Sequence, residues 1–172
     1  SGYLSAQQFR NMVIFLTSRL KDYDKADKFI EEYKTRLEPN VQISNYYFCK
    51  SVVEFNKKNW DLALESLSKV LAYDEFLKFQ LDGLRLRIYY EKEFLINIQS
   101  SIDSAYHFLK NSKKSLEKYK TYYKSFLNYY KKLVLYKERP DKINIGLLMR
   151  KITNDEKVAL KAWLIEKLEE IK

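Results

Sequence analysis

Glycine and proline are almost missing from this chain, with 3 Gly and 2 Pro in 172 residues. Sandwiches, barrels and doubly wound sheets need many tight turns, and these two residues supply most of them. A chain so poor in both is expected to consist of long helices joined by short polar links. A single cysteine, Cys49, leaves no disulfide framework and no multi-thiolate metal site. A single histidine, His107, removes the Ser-His-Asp, HExxH and His-rich metal readings together. No stretch approaches the roughly 18 consecutive apolar residues of a membrane-crossing helix. The opening Ser1-Gly2-Tyr3 has neither the basic nor the apolar region of a signal peptide. It also lacks an initiator Met. The chain is therefore expected to be a piece of a longer one, with further helical repeats before it, and the cytoplasm is the expected compartment.

What is present describes a folded domain. Hydrophobic residues at 46% and charged residues at 32% exclude disorder. At this size, surface scaling allows about 21,000 Å² of some ~30,000 Å² to be buried, an upper bound that suffices for one core. Helical periodicity is nearly continuous. Phe9, Val13, Leu16 and Leu20 step by 4, 3 and 4, with Ser5 and Gln8 as a capping box. Asp24 is expected to cap a second helix carrying Ala26, Phe29, Ile30, Tyr33 and Leu37, stopped by Glu38-Pro39-Asn40. A third helix spans about 44–57 with Phe48, Val52 and Phe55 inward, and Asn59 caps a fourth over 60–72. The fourth helix's stripe is Ala63, Leu64, Leu67, Val70 and Leu71. Leu77, Leu81, Leu84 and Ile88 mark a fifth; Phe94, Ile98, Ile102, Ala105 and Leu109 mark a sixth. Residues 112–138 form a long seventh, ended by Pro140, which suits the first turn of a short segment over 143–152. Thr153 and Glu156 form a second capping box, opening a last helix through Ile171.

The turn elements recur. Asp22-Tyr23-Asp24-Lys25-Ala26 matches Asn59-Trp60-Asp61-Leu62-Ala63 at a shift of 37 residues. Trp60 matches Phe94, and Leu64 matches Ile98, each 34 residues on. A polar cap, an aromatic, then a small residue three positions later suits a helical hairpin. The aromatic wedges between two helices, and the alanine lets their backbones approach. The stretch NKKNWDLALESLSKVLAYD, with Asn59, Trp60, Ala63, Leu67, Leu71 and Asp74, resembles the tetratricopeptide repeat. Three degenerate repeats over 5–110 carry the resemblance. It departs from the family at Arg85 and Asn97, where small residues are expected, while Ser51 keeps that role. The closing KAWLIEKLEEI is similar to the last helix of uncharacterised bacterial proteins of this type. The resemblance implies an all-α, right-handed solenoid of antiparallel hairpins with about nine helices, in one domain over 1–172. Residues 111–172 would add a long basic helix, a short helix and a capping helix.

No catalytic constellation is visible. There is no Gly-rich phosphate loop, no GxSxG, no CxxC and no carboxylate pair in an apolar setting. His107, between Tyr106 and Phe108, reads as a packed or surface residue, and Cys49 beside Phe48 as a small buried hydrophobe. No catalysis, cofactor or metal is expected.

Charge is more informative. Residues 110–142 hold ten Lys and Arg139 against Glu117, Glu138 and Asp141, a net of +8 in a chain of +9. Six tyrosines share the segment. On a helical wheel at about 100° per residue, Leu116, Tyr119, Tyr123, Phe126, Tyr130 and Leu133 fall between about 260° and 360°. Lys113, Lys114, Lys120, Lys124, Lys131 and Lys132 fall between about 40° and 160°, opposite the apolar arc. Tyr122, Tyr129 and Tyr136 lie between, beside the lysines.

Two functions follow. The first is a non-catalytic scaffold or interaction module that binds a protein or peptide segment. Its contact strip would be Tyr122, Tyr129, Lys118 and Lys132. By the repeat resemblance, a groove would include Asn45, Phe48, Val52, Phe79, Asp82 and Leu86. That lining lacks the Lys and Asn cluster of a clamp for C-terminal carboxylates. The alternative is an anion-binding domain using residues 110–142 on nucleic acid or an acidic surface. Nucleic acid is the weaker alternative because few arginines stand nearby. A structural end cap of a longer solenoid is a third possibility.

Overall fold

The computed structural model describes residues 2–171, side chains included except that of Ser115. The described residues form nine α-helices and three short 3-10 turns, with no strand among them. The helices are α1 (Ala6–Ser18), α2 (Tyr23–Tyr33), α3 (Pro39–Asn56), α4 (Trp60–Ser68), α5 (Glu75–Glu91), α6 (Leu95–Asn111), α7 (Glu117–Glu138), α8 (Ile145–Asn154) and α9 (Lys161–Glu170). None of them is long and apolar enough to cross a membrane. Contacts divide the chain into two compact units, one ending at Leu95 and one beginning at Ile96, fifteen residues before the 110/111 change in character read from the sequence. Each unit is described by itself.

In the first unit α1 packs on α2 and α3, α3 on α4, and α4 on α5. Phe9, Val13, Ala26, Ile30, Phe48, Val53, Leu77 and Leu84 form its dry centre. The Ser5 hydroxyl accepts from Gln8 N at 3.4 Å and starts α1 as expected. Asp22 rather than Asp24 caps α2, accepting from Lys25 N at 3.0 Å; Asp24 sits in the first turn, where the helix dipole favours an anion. Pro39 does not stop a helix but opens α3, because its missing N–H lies among donors that no intrahelical acceptor reaches. The helix before it has already given way to a 3-10 turn over Lys34–Arg36. α4 ends at Ser68, four residues short of the sequence reading, and Leu71 is left 79% exposed.

A left-handed residue recurs in three turns, which are of equal length before α4 and α6 and one residue longer before α2. Lys21, Lys58 and Glu93 all adopt left-handed backbone, with φ of 55°, 64° and 56°. Each sits one residue before the residue that precedes a helix, and the following N–H bonds back into the helix behind it. Asp22 N donates to Leu16 O (3.0 Å), Asn59 N to Glu54 O (2.9 Å) and Phe94 N to Tyr89 O (3.0 Å). These bonds satisfy carbonyls that a helix end leaves open. Aligning the turns corrects the register. Ala26, Ala63 and Ile98 are equivalent and buried, so the second interval is 35 residues, not 34. Trp60 then corresponds to Leu95, and Phe94, expected inside the sixth helix, precedes α6 and is 39% exposed.

Ala63 and Ser51 mark the close approach of α3 and α4, the Ser51 hydroxyl donating to Ala63 O at 2.8 Å. Trp60 is half-buried beside Phe55, with ring centroids 5.3 Å apart, so it covers the contact's edge instead of wedging into it.

In the second unit α7 is the longest helix, preceded by a 3-10 turn over Lys114–Leu116. Trp163 of α9 stacks on Tyr130 of α7 with centroids 6.0 Å apart. Asn144 caps α8, accepting from Leu147 N at 2.8 Å. Thr153 opens no helix; it lies in the last turn of α8 and its hydroxyl donates to Met149 O at 2.8 Å. α9 follows Leu160, whose backbone is left-handed at φ 53°.

Candidate functional site

The α7 sequence alternates lysine with aromatic residues at a spacing that separates them by face. Glu117 in its first turn and Lys137 in its last complement the helix dipole. Tyr123, Phe126, Leu127, Tyr130 and Leu133 are buried, as the wheel places most of them. Tyr123–Phe126 and Phe126–Tyr130 centroids are 5.7 and 5.6 Å apart, a continuous aromatic ladder. Tyr119 departs from the wheel: it lies in the first turn of the helix and is 44% exposed. Lys120 departs the other way. Half-buried, it donates to Ser112 O at 2.6 Å and so ties the turn before α7 to the helix.

The four residues singled out on this helix fall into two pairs. Lys118 Nζ stands 6.0 Å from the Tyr122 ring centroid, and Lys132 Nζ stands 5.8 Å from that of Tyr129. Both lysines are exposed and both tyrosines half-buried. Seven residues of helix separate the two tyrosines, about 10 Å along the axis. Tyr129 is anchored from below, its hydroxyl donating to Asp155 Oδ2 at 3.0 Å. Partial burial, reinforced by that carboxylate, raises the Tyr129 phenol above its ordinary range. Tyr122 is anchored through its backbone, whose carbonyl accepts from Ala159 N at 3.0 Å. A third cation–ring pair extends the surface, with Lys131 Nζ 5.6 Å from the ring of Tyr106, whose hydroxyl donates to Asn128 Oδ1 at 2.6 Å. Lys124 is exposed between the pairs. The result is a base of tyrosines, two of them held by Asp155 and Asn128, with exposed ammonium groups beside the rings.

The residues named for a groove have a different fate. Phe48, Val52 and Leu86 are spent inside the first unit, at 2%, 4% and 0% exposure, and offer no contact surface. Asp82 is buried and paired with Lys78 at 2.7 Å and Arg85 at 3.3 Å. Phe79 is half-buried. The repeat pattern picks these positions by analogy, whereas Phe48, Val52 and Leu86 are part of the packed core of the unit.

Sequence reasoning missed Arg10, buried with Asn45. Its Nη1 donates to Asn45 Oδ1 at 2.6 Å and to Tyr73 Oη at 2.8 Å, and its Nε donates to Gln80 Oε1 at 2.6 Å. The available signal was position. Arg10 and Thr17 flank the Phe9, Val13, Leu16 stripe and share its face, so the stripe is wider than the apolar residues alone suggest. Cys49 lies nearby; burial pushes its thiol well above the usual range, with the Arg10 charge acting the other way. His107 is exposed, its Nε2 3.1 Å from Asn111 Nδ2. Among the described residues no three His, Cys, Asp or Glu are grouped to hold a metal ion.

Charge follows the boundary between the units. Residues 1–95 carry 15 Lys and Arg against 14 Asp and Glu, and residues 96–172 carry 17 against 9. No family model matches the chain, and neither the curated proteins nor the solved structures include a match.

Proposed function

We propose that this chain is a non-catalytic interaction module, and that its second unit docks an acidic, partly apolar protein segment on α7. The observation that carries this reading is the pairing of Lys118 with Tyr122 and of Lys132 with Tyr129 on one anchored helix. Partly exposed tyrosine combines apolar area with a hydroxyl at low entropy cost, and flanking lysines select acidic partners. The half-buried tyrosines are held in place before any partner arrives, which lowers the ordering cost of binding. The fold reading is a tetratricopeptide-like, right-handed solenoid of antiparallel hairpins, supported within the first unit by the left-handed residue that Lys21 and Lys58 each supply ahead of a helix.

The net charge of +8 on residues 110–142 favours a second reading, an anion-binding domain for nucleic acid or an acidic surface. Salt separates the two. Binding that relies on lysine–phosphate contacts falls steeply with ionic strength, whereas a contact built on tyrosine persists. The test is capture of partners by the full chain at low and high salt, beside the variant Lys118→Glu/Tyr122→Ala/Lys132→Glu. A protein held at high salt by the wild type and lost by the variant is the expected result. Equal retention by the variant removes the strip. Nucleic acid as the dominant, salt-sensitive capture replaces this reading with the second.

A further inference from the structure

Arg10 is 2% exposed and stands among the largest fully buried side chains of the protein. Its three bonding partners come from separate parts of the first unit: Asn45 from α3, Gln80 from α5, and Tyr73 from the link between α4 and α5. All three are neutral. No Asp or Glu among the described residues pairs with the guanidinium. Proteins seldom bury a cation this fully without an opposite charge, since three neutral dipoles only partly replace the lost hydration.

The donor count leaves something over. Nε and Nη1 together present three N–H groups, matched by the three bonds. Nη2 has its own N–H donors and meets no acceptor among the described residues, yet it is not one of the side-chain atoms sealed away from solvent. The neighbours are also fixed in orientation. Asn45 Nδ2 donates to Val41 O at 2.7 Å and to Tyr73 Oη at 3.1 Å, which turns its Oδ1 toward Arg10. Ser44 Oγ donates to Leu71 O at 2.9 Å and accepts from Leu71 N at 3.2 Å, so the link carrying Tyr73 is tied to α3. The guanidinium is thus held through Nε and Nη1, with Nη2 left unbonded in a residue that is only 2% exposed. That is the arrangement by which arginine receives an oxyanion.

We infer that Arg10 is the floor of an oxyanion site in the first unit, with Nη2 donating to one oxygen of a carboxylate or phosphate group. The ligand supplies the negative charge that the surrounding protein lacks. This site is independent of α7, since every residue in it belongs to the unit ending at Leu95.

The test is a titration of the full chain with sodium acetate and, separately, sodium phosphate, against sodium chloride at matched ionic strength. The signals followed are the Arg10 guanidinium and the side-chain amides of Asn45 and Gln80 in nuclear magnetic resonance spectra. The expected result is a saturable shift of these three with acetate or phosphate at millimolar concentrations, and none with chloride. Saturation by acetate alone assigns the site to carboxylates, and by phosphate alone to phosphoryl groups. In Arg10→Gln the affinity falls at least about tenfold, while Lys118→Glu/Lys132→Glu leaves it unchanged. Shifts that never saturate, or that match chloride, overturn the inference. So does saturation retained in Arg10→Gln. Should Arg10→Gln fail to fold, the wild-type guanidinium signal decides alone.

Discussion

The Ser51 hydroxyl donates to Ala63 O at 2.8 Å, and both residues are wholly buried where α3 meets α4. Ser51→Ala removes one buried hydrogen bond without changing the spacing. We expect a loss of about 1 kcal/mol in urea unfolding. Ser51→Val fills the same gap with an extra methyl and loses the bond too, so it should cost about 2–3 kcal/mol. Equal stability of the two variants would remove close approach as the reason for a small residue here. Asp27 illustrates the charged case. Partial burial pushes its carboxyl up, but hydrogen bonds from Lys50 (2.5 Å) and Lys57 (3.0 Å) outweigh burial and hold it below the usual value. A depressed carboxyl contributes stability that is present above its unfolded value and lost as pH falls through its folded one. The wild type should therefore lose stability on acidification below about pH 4, and Asp27→Asn should show a shallower loss over the same range. Parallel pH profiles would show that the pair contributes nothing. At this scale the sequence exposes Ala63 and Ser51 through their spacing. It hides Arg10, because a cation beside an apolar stripe ordinarily extends into solvent. Only the convergence of Asn45, Tyr73 and Gln80, all far from Arg10 in the chain, makes burial possible.

Helices are the elements most easily read here, since each apolar stripe repeats over several turns and tolerates an error of a residue. Their ends are not. Asp22 and Asp24 are equally good caps in isolation, and the backbone bond from Asp22 N to Leu16 O fixes the first at the helix start. Thr153 followed by Glu156 has the pattern of a helix start, but Thr153 completes α8 and its hydroxyl turns back to Met149. The recurrence of the turn is legible in the sequence but its left-handed step is not, because the residues that take it are Lys21, Lys58 and Glu93, not glycine. Left-handed backbone costs a non-glycine residue about 1–2 kcal/mol. Lys58 is exposed, and the expected effect of Lys58→Gly is a gain of up to about 1 kcal/mol, after glycine's greater freedom in the unfolded chain is offset. Chemical denaturation checks it. A loss would mean that the lysine side chain contributes more than its backbone strain.

For the whole molecule, the separation of charge at the 95/96 boundary gives location more weight than total. Lys118, Lys124, Lys131 and Lys132 of α7 are exposed, as are Lys21, Lys25, Lys28 and Lys58 of the first unit. Reversing either set of four to Glu lowers the net charge of +9 by eight, to +1. Retention on a polyanionic heparin column should be abolished by the α7 set and largely kept by the other. Equal loss would show that only total charge matters. The buried Cys49 has a use of another kind. It is the sole thiol in the chain, and burial keeps it protonated and shielded, so alkylating reagents react with it only when α3 is uncovered. Its alkylation rate is therefore a built-in clock for opening of the first unit. With Trp60→Phe removing the other tryptophan, Trp163 fluorescence reports on the second unit, and the two signals together time whether the units open in one event or in two.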